Sequence, residues 1–156
     1  MPKQPFSKRT LIPQVCVIPF RRMHDADGEL EFCLVTSLRK KRWIFPKGIV
    51  DPGETPEESA RKEVWEEAGL RGDVCPEPLG YFDDQKWGCD LRVQVVVMEV
   101  TESADQWPEL GQRQRAWLTA DAALSRLKRG QLRVLLQEAW DVLQAESVAP
   151  HDSKNR

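Results

Sequence analysis

The sequence is short of several things that would steer it toward particular chemistries. It holds 2 histidines and 4 cysteines, and Cys16, Cys33, Cys75 and Cys89 stand far apart with no Cys-x-x-Cys pair. A zinc site needs a tighter cluster of such ligands, so zinc is not the expected metal. Scattered cysteines read most simply as reduced, mostly buried thiols in a cytoplasmic protein. No run of 18 apolar residues is present, so no membrane-spanning helix is expected. The first residues, Met1-Pro-Lys-Gln-Pro-Phe-Ser-Lys-Arg9, have no apolar core, and a secretory signal is not expected. No repeat, linker or low-complexity segment breaks the chain.

What is there describes one globular domain. The chain has 156 residues, enough for a sizeable core, and a 40% hydrophobic, 31% charged composition ordinary for a soluble fold. The formal net charge of −2 conceals strong patterning. Acidic residues gather in 51–67. Basic residues gather just before them, at Arg39, Lys40, Lys41, Arg42 and Lys47, and again at Arg113, Arg115, Arg126, Lys128 and Arg129. An acidic site beside basic loops suits a polyanionic small molecule, although the Arg39–Arg42 group also suits a plain solvated turn. An acidic pI of about 5.8 and the lack of a long basic face argue against a nucleic-acid-binding module.

The segment Gly48–Leu70 carries the most information. Thr55 followed by Glu58 is a capping box, and Pro56 occupies the first helical position. Gly69 is a natural stop. The spacing predicts a helix over about 56–68. On it, Glu63, Glu66 and Glu67 fall within an arc of about 100°, while Ala60, Val64 and Ala68 form a neighbouring apolar stripe. Three glutamates alone also suit a solvated face. Like charges so placed repel, and a hard divalent cation would relieve the repulsion. Mg²⁺ fits best, because it takes a few carboxylates and completes its octahedron with water and phosphate.

The order of residues in this segment is more specific than the charges. Gly48, then Glu54, then Lys62-Glu63-Val64-x-Glu66-Glu67-x-Gly69-Leu70 resembles the signature of the Nudix hydrolases over residues 48–70. Lys62 departs from it, since the family has Arg there. Lys is a flexible point charge and Arg a planar fork, and Lys62 is expected to pair with Glu66 and Glu58, one turn to either side. Trp107-Pro108-Glu109 and Arg113-x-Arg115-x-Trp117 resemble the diphosphoinositol polyphosphate phosphohydrolase branch, whose members also cleave diadenosine polyphosphates. Lys47-Gly48-Ile49 departs from that branch in having a single glycine where many members have two or three.

The resemblance implies an α/β fold, an α/β/α sandwich around a mixed β-sheet. It implies hydrolysis of a phosphoanhydride in a polyphosphorylated small molecule, with Mg²⁺, or Mn²⁺, as cofactor. It implies Glu63, Glu67 and the carbonyl of Gly48 as metal ligands, and Glu66 as general base or a further ligand. Glu109 is the alternative base. Glu54, Lys62 and Gly69 support the box. Arg39, Lys47, Arg92, Arg113, Arg115 and Arg129 are candidate phosphate contacts. Trp87 is a candidate for stacking on an adenine, whereas Trp43, Trp65 and Trp117 read as packing residues. Alternative activities on the same fold are cleavage of oxidised nucleoside triphosphates, ADP-ribose or RNA 5′ ends. A non-catalytic phospholigand-binding module is a further alternative, against which stands the full set of box glutamates.

Elsewhere, strands are expected at 14–20, 30–37, 79–83, 91–100 and 114–118, with a short apolar run at 43–46. A helix is expected over 120–128, closed by Gly130, and another over 131–144 with Leu132, Leu135, Leu136, Ala139 and Leu143 as its apolar stripe. Residues 13–146 are expected to form the domain, with 1–12 and 147–156 lacking structure.

Overall fold

A computed structural model describes residues 11–24 and 29–148 of the chain. Its strands are β1 (Leu11–Arg22), β2 (Leu30–Thr36), β3 (Trp43–Ile44), β4 (Lys47–Ile49), β5 (Leu70–Val74), β6 (Gly80–Lys86), β7 (Cys89–Ser103) and β8 (Arg115–Leu118). Its helices are α1 (Pro56–Ala68), α2 (Ala120–Arg126) and α3 (Gly130–Val148). No described helix is long and apolar enough to cross a membrane.

The strands join one mixed sheet centred on the parallel pair β1 and β7, in register from Leu11↔Asp90 to Phe20↔Glu99. Every other pairing is antiparallel. Strand β4 pairs with the first part of β1 and β2 with its end; β6 pairs with the first part of β7 and β5 with its end. Strand β8 adds to β2.

Alternation along the two central strands divides the interior into two cores. Val15, Val17, Val96 and Met98 point to one face and pack with Ala60, Val64 and Ala68 of α1. Cys16, Ile18, Val93, Val95 and Val97 point to the other. There they meet Ala123 and Leu127 and the α3 stripe of Leu132, Leu135, Leu136, Ala139 and Leu143. The result is a helix–sheet–helix sandwich. Its two covers explain why β7 alternates at its start and is apolar on both faces from Val95 to Met98. Cys16 and Cys33 lie inside these cores, and burial pushes each thiol up to about 12, so both stay protonated at neutral pH. Cys75 and Cys89 are only partly buried.

Several boundaries differ from the sequence reading. Strand β1 begins at Leu11 and α3 continues to Val148, so both ends of the domain reach into segments expected to lack structure. The remainder of those segments, and residues 25–28 of the turn after β1, lie outside the described residues. Strand β5 was not expected: it is a five-residue strand with a central glycine, recruited by pairing with β7 across a bulge at Arg71/Gly72. Gly130 does not close α2. The buried Leu127 leaves the helix in extended conformation and caps it, and Gly130 begins α3. The segment around Trp87 is a hairpin between β6 and β7. Trp87 and Gly88, with φ of 55° and 71°, form its two-residue turn, and Trp87 stands 65% exposed at the tip beside Lys86.

Candidate active site

Helix α1 starts as its sequence dictates. The Glu58 amide donates to Thr55 Oγ1 at 3.1 Å, and the Thr55 amide donates to Glu58 Oε1 at 2.9 Å, which closes the capping box. The loop before the helix folds back against it. Lys62 Nζ lies 2.8 Å from Asp51 Oδ2 and 3.1 Å from Glu54 Oε2, and Ser59 Oγ donates to Glu54 Oε1 at 2.6 Å. This corrects the expected partners of Lys62. The Glu58 carboxylate is committed to the cap, so the lysine turns to the loop. Those two carboxylates raise the pKa of Lys62, and Ser59 and Lys62 lower that of Glu54. Glu54 thus ties loop to helix.

The backbone at Gly48 abuts Glu63. A Cβ there would sit 2.2 Å from the Glu63 carboxyl carbon, so any larger residue would push the Glu63 side chain out of its position. On the next turn, Glu67 is buried and its Oε1 accepts from the Lys47 amide at 3.3 Å. Burial pushes Glu63 up to about 7, helped by the charge of Glu66, and Glu67 hydrogen-bonds to it. Burial pushes Glu67 up to about 8; Arg113 opposes this, and Glu63 and Glu109 add to it. Burial and the mutual charge of neighbouring carboxylates thus act together to disfavour the ionised forms of Glu63 and Glu67.

The far end of α1 is finished by distant residues. A helix leaves its last carbonyls without partners. Here the Gly69 amide, at φ 69°, reaches Val64 and Trp65. The Glu109 amide donates to the Glu66 carbonyl at 3.1 Å, and the Trp107 indole N–H to that of Glu67 at 3.1 Å. Arg115 Nη1 donates to the Ala68 carbonyl at 2.8 Å, and the Ala104 amide to that of Gly69 at 2.9 Å. The segment 104–115 is thereby fastened along the helix terminus.

Arg113 and Arg115 act within this fastening. Arg115 also reaches the Ala104 carbonyl at 2.8 Å and lies over the Trp107 ring at 4.1 Å. Arg113 is 9% exposed; its Nε donates to Glu109 Oε1 at 2.6 Å, its Nη1 to the Thr36 carbonyl at 3.0 Å, and its Nη2 lies 3.5 Å from Glu67 Oε2. Both were read from the sequence as phosphate contacts, and the structure gives both guanidinium groups protein partners.

The remaining candidates are spread around the fold. Lys47 is half-buried, and burial, Lys86 and Arg129 lower its pKa while Asp84 opposes them, so these four side chains form one electrostatic group. Arg129 Nη2 lies 3.7 Å from Asp84. Lys86 was not singled out from the sequence; the β6–β7 hairpin alone brings it to Lys47. Arg92 is exposed, 3.7 Å from Asp83, and Arg39 is exposed in the β2–β3 turn. Trp65 is covered by Arg71 at 3.9 Å and Trp117 by Arg21 at 4.0 Å. Among the described residues no three metal-binding side chains surround a common point. The donor set suits a hard dication: carboxylate oxygens adjacent on one helix face, whose ionised forms burial disfavours and a cation would favour.

The model of the NUDIX domain family matches residues 11–138. The chain belongs to the Nudix hydrolase family. It is 29% identical over 139 residues to the Arabidopsis thaliana protein named Nudix hydrolase 13, mitochondrial, covering 83% of this chain and 69% of that protein. It is 32% identical to Nudix hydrolase 12, mitochondrial, of the same plant, over 78% of this chain and 64% of that one. Mouse diphosphoinositol polyphosphate phosphohydrolase 3-alpha is 36% identical over 107 residues, 66% of this chain and 63% of that protein. The Nudix chain thus spans about two thirds of the length of these relatives. Among solved structures, a Caenorhabditis elegans Ap4A hydrolase binary complex superposes with a TM-score of 0.71 at 21% identity, over 86% of this chain and 99% of that one. The NUDIX domain of Shewanella oneidensis NrtR, complexed with ADP ribose, gives 0.70 at 15% identity, over 90% and 94%. These two likenesses establish the fold.

Proposed function

We propose that this Nudix hydrolase is a Mg²⁺-dependent pyrophosphohydrolase that cleaves a phosphoanhydride bond in a polyphosphorylated small molecule, of the diadenosine polyphosphate or diphosphoinositol polyphosphate class. The observation that carries this reading is the set of oxygen donors that Glu63 and the buried Glu67 bring against the β4 backbone at Lys47 and Gly48. Glu63, Glu67 and the Gly48 carbonyl would hold Mg²⁺, or Mn²⁺ in its place. When bound, the cation neutralises the phosphate oxygens and stabilises the departing phosphate.

The chain's own residues do the rest. Glu66 takes a proton from the attacking water as its oxygen bonds to phosphorus. The bridging P–O bond breaks, and its electron pair leaves with the departing phosphate. Glu109 is the alternative base, but its carboxylate already accepts from Arg113, which favours Glu66. Lys47, Lys86 and Arg129 bind phosphates that do not react. Arg113 and Arg115 hold the helix end and Glu109 in place.

The test is a screen of diadenosine penta- and hexaphosphate, inositol pyrophosphates, ADP-ribose and oxidised dGTP, with products identified by mass. Hydrolysis of the first two groups, abolished by EDTA and restored by Mg²⁺, is the expected result. Turnover persisting in excess EDTA overturns the proposed mechanism. Exclusive cleavage of ADP-ribose or oxidised dGTP moves the enzyme to the nucleotide-pool activities.

A further inference from the structure

Two of the carboxylates proposed for the chemistry stand where a helix is weakest. Glu66 and Glu67 belong to the last turn of α1, which ends at Ala68. Carbonyls of a last turn have no partner within the helix, and such turns fray. The negative end of the helix dipole adds to the charge of the glutamates. The last turn of α1 carries no basic residue to offset it. The helix alone would therefore leave these side chains loosely placed.

Trp107 supplies what is missing at Glu67. Its indole N–H donates to the Glu67 carbonyl at 3.1 Å. Its side chain leans on the helix stop: a Cβ at Gly69 would stand 2.8 Å from Trp107 Cε3 and 2.9 Å from its Cβ and Cδ2. Gly69 thus serves twice, by taking a left-handed φ of 69° and by leaving room for the ring. The Arg115 guanidinium lies 4.1 Å from the ring centroid while it holds the Ala68 carbonyl. Of the donors that segment 104–115 sends to the helix end, the indole is the one that reaches a residue proposed to hold the cation. The contacts to the Glu67 carboxylate itself are long, 3.3 Å from the Lys47 amide and 3.5 Å from Arg113 Nη2. They fix it less firmly than bonds of about 2.9 Å would, so the main-chain anchor carries more of its placement.

We propose that Trp107 is a positioning residue: its indole N–H fixes the Glu67 main chain, and through it the place of the Glu67 carboxylate and the affinity for the divalent cation. This rests on the hydrolase reading above and adds to it a residue 40 positions along the chain from the ligand it places. Groups that orient a ligand without touching the ion change metal affinity by about 10–100-fold.

Trp107→Phe removes the N–H and keeps a ring beside Gly69 and Arg115, so it is expected to fold. Trp107→Met is a second variant without the N–H, and the same result is expected of it. Thr55→Ala is the control, since it weakens the same helix at its other end, away from Glu67. Titration of the full chain with Mn²⁺, read from the EPR signal of the free ion, needs no substrate. Kd should rise about tenfold in Trp107→Phe and stay within about twofold in Thr55→Ala. In hydrolysis of diadenosine pentaphosphate, the Mg²⁺ concentration giving half the maximal rate should rise in parallel, with kcat at saturating Mg²⁺ within about twofold. Unchanged Mn²⁺ affinity in the folded Trp107 variants overturns the inference and leaves the hydrolase reading standing. An equal loss in Thr55→Ala also overturns it, because helix stability would then govern binding. A wild-type chain that binds no Mn²⁺ removes the metal-dependent reading and this inference together.

Discussion

The two ends of α1 are held by different means. At its start every partner lies close in sequence: Thr55 and Glu58 cap each other, and Lys62 and Ser59 bind Glu54. At its end the partners come from Ala104, Trp107, Glu109 and Arg115, on the far side of three strands. The first end is a local device that a short peptide could encode. The second exists only once the sheet has formed, because β5 and β7 must pair before segment 104–115 reaches the helix. The glutamates lie between the two, so their geometry depends on tertiary structure more than their motif suggests.

The largest effect is expected from removing a group that both ends serve to place. Glu66→Gln should lower kcat by roughly 10²–10⁴ with the melting temperature nearly unchanged; if turnover in Mg²⁺ persists in this variant and falls in Glu109→Gln, the base belongs to the distal segment instead.

Cutting the distal fastening comes next. Arg115→Met leaves the Ala68 and Ala104 carbonyls without their donor. It should cost about 2–3 kcal/mol in urea unfolding, the scale of lost hydrogen bonds to a charged group. Lysine at this position, with one compact ammonium, should recover only part of that.

The pH dependence probes the space between the ends. Glu63 and Glu67 titrate near 7 and 8, above the ordinary carboxylate value of 4.5. The folded metal-free chain therefore holds extra protons, and their contribution to stability falls as pH rises from 4.5 through 8. A cation that displaces the proton does the opposite. The rise in melting temperature on adding Mg²⁺ should be larger at pH 8.5 than at pH 6, and Glu67→Gln should flatten that difference. An equal rise at both values would mean that the pair does not bind the ion.

Two smaller changes test the local end. Thr55→Ala should cost about 1 kcal/mol with little change in kcat; a loss of activity larger than that of Arg115→Met would reverse the ranking of the two ends. Lys62→Arg should preserve kcat or raise it, since a planar fork can serve Asp51 and Glu54 together. A marked drop in single-turnover rate would show that the flexible ammonium is needed.

What could be read from the sequence follows the same division. Helix α1, its cap, its stop at Gly69 and the apolar stripe of α3 rest on contacts between near neighbours, and periodicity reveals them. The two-sided burial of β7 showed as a change from alternating to continuous apolar residues. Partners across the fold left no such mark. Nothing in Leu70–Val74 announces a strand, because β7 supplies its bonds. The Trp107-Pro-Glu and Arg113-x-Arg115 elements stood out as a pattern, but their work on the helix carbonyls needed the three-dimensional arrangement. Lys86 had no signal at all, since only the hairpin turn at Trp87 brings it near Lys47.

The parallel ladder at the centre of the sheet sets an order of assembly. Leu11 pairs with Asp90 and Phe20 with Glu99, and residues 56–68 lie on the long connection that this ladder closes. Closing so long a loop is slow and entropically costly. During synthesis the acidic helix leaves the ribosome well before the strand that seats it. Residues 104–115 follow directly behind that strand, so the acidic face of α1 can mature only late in translation.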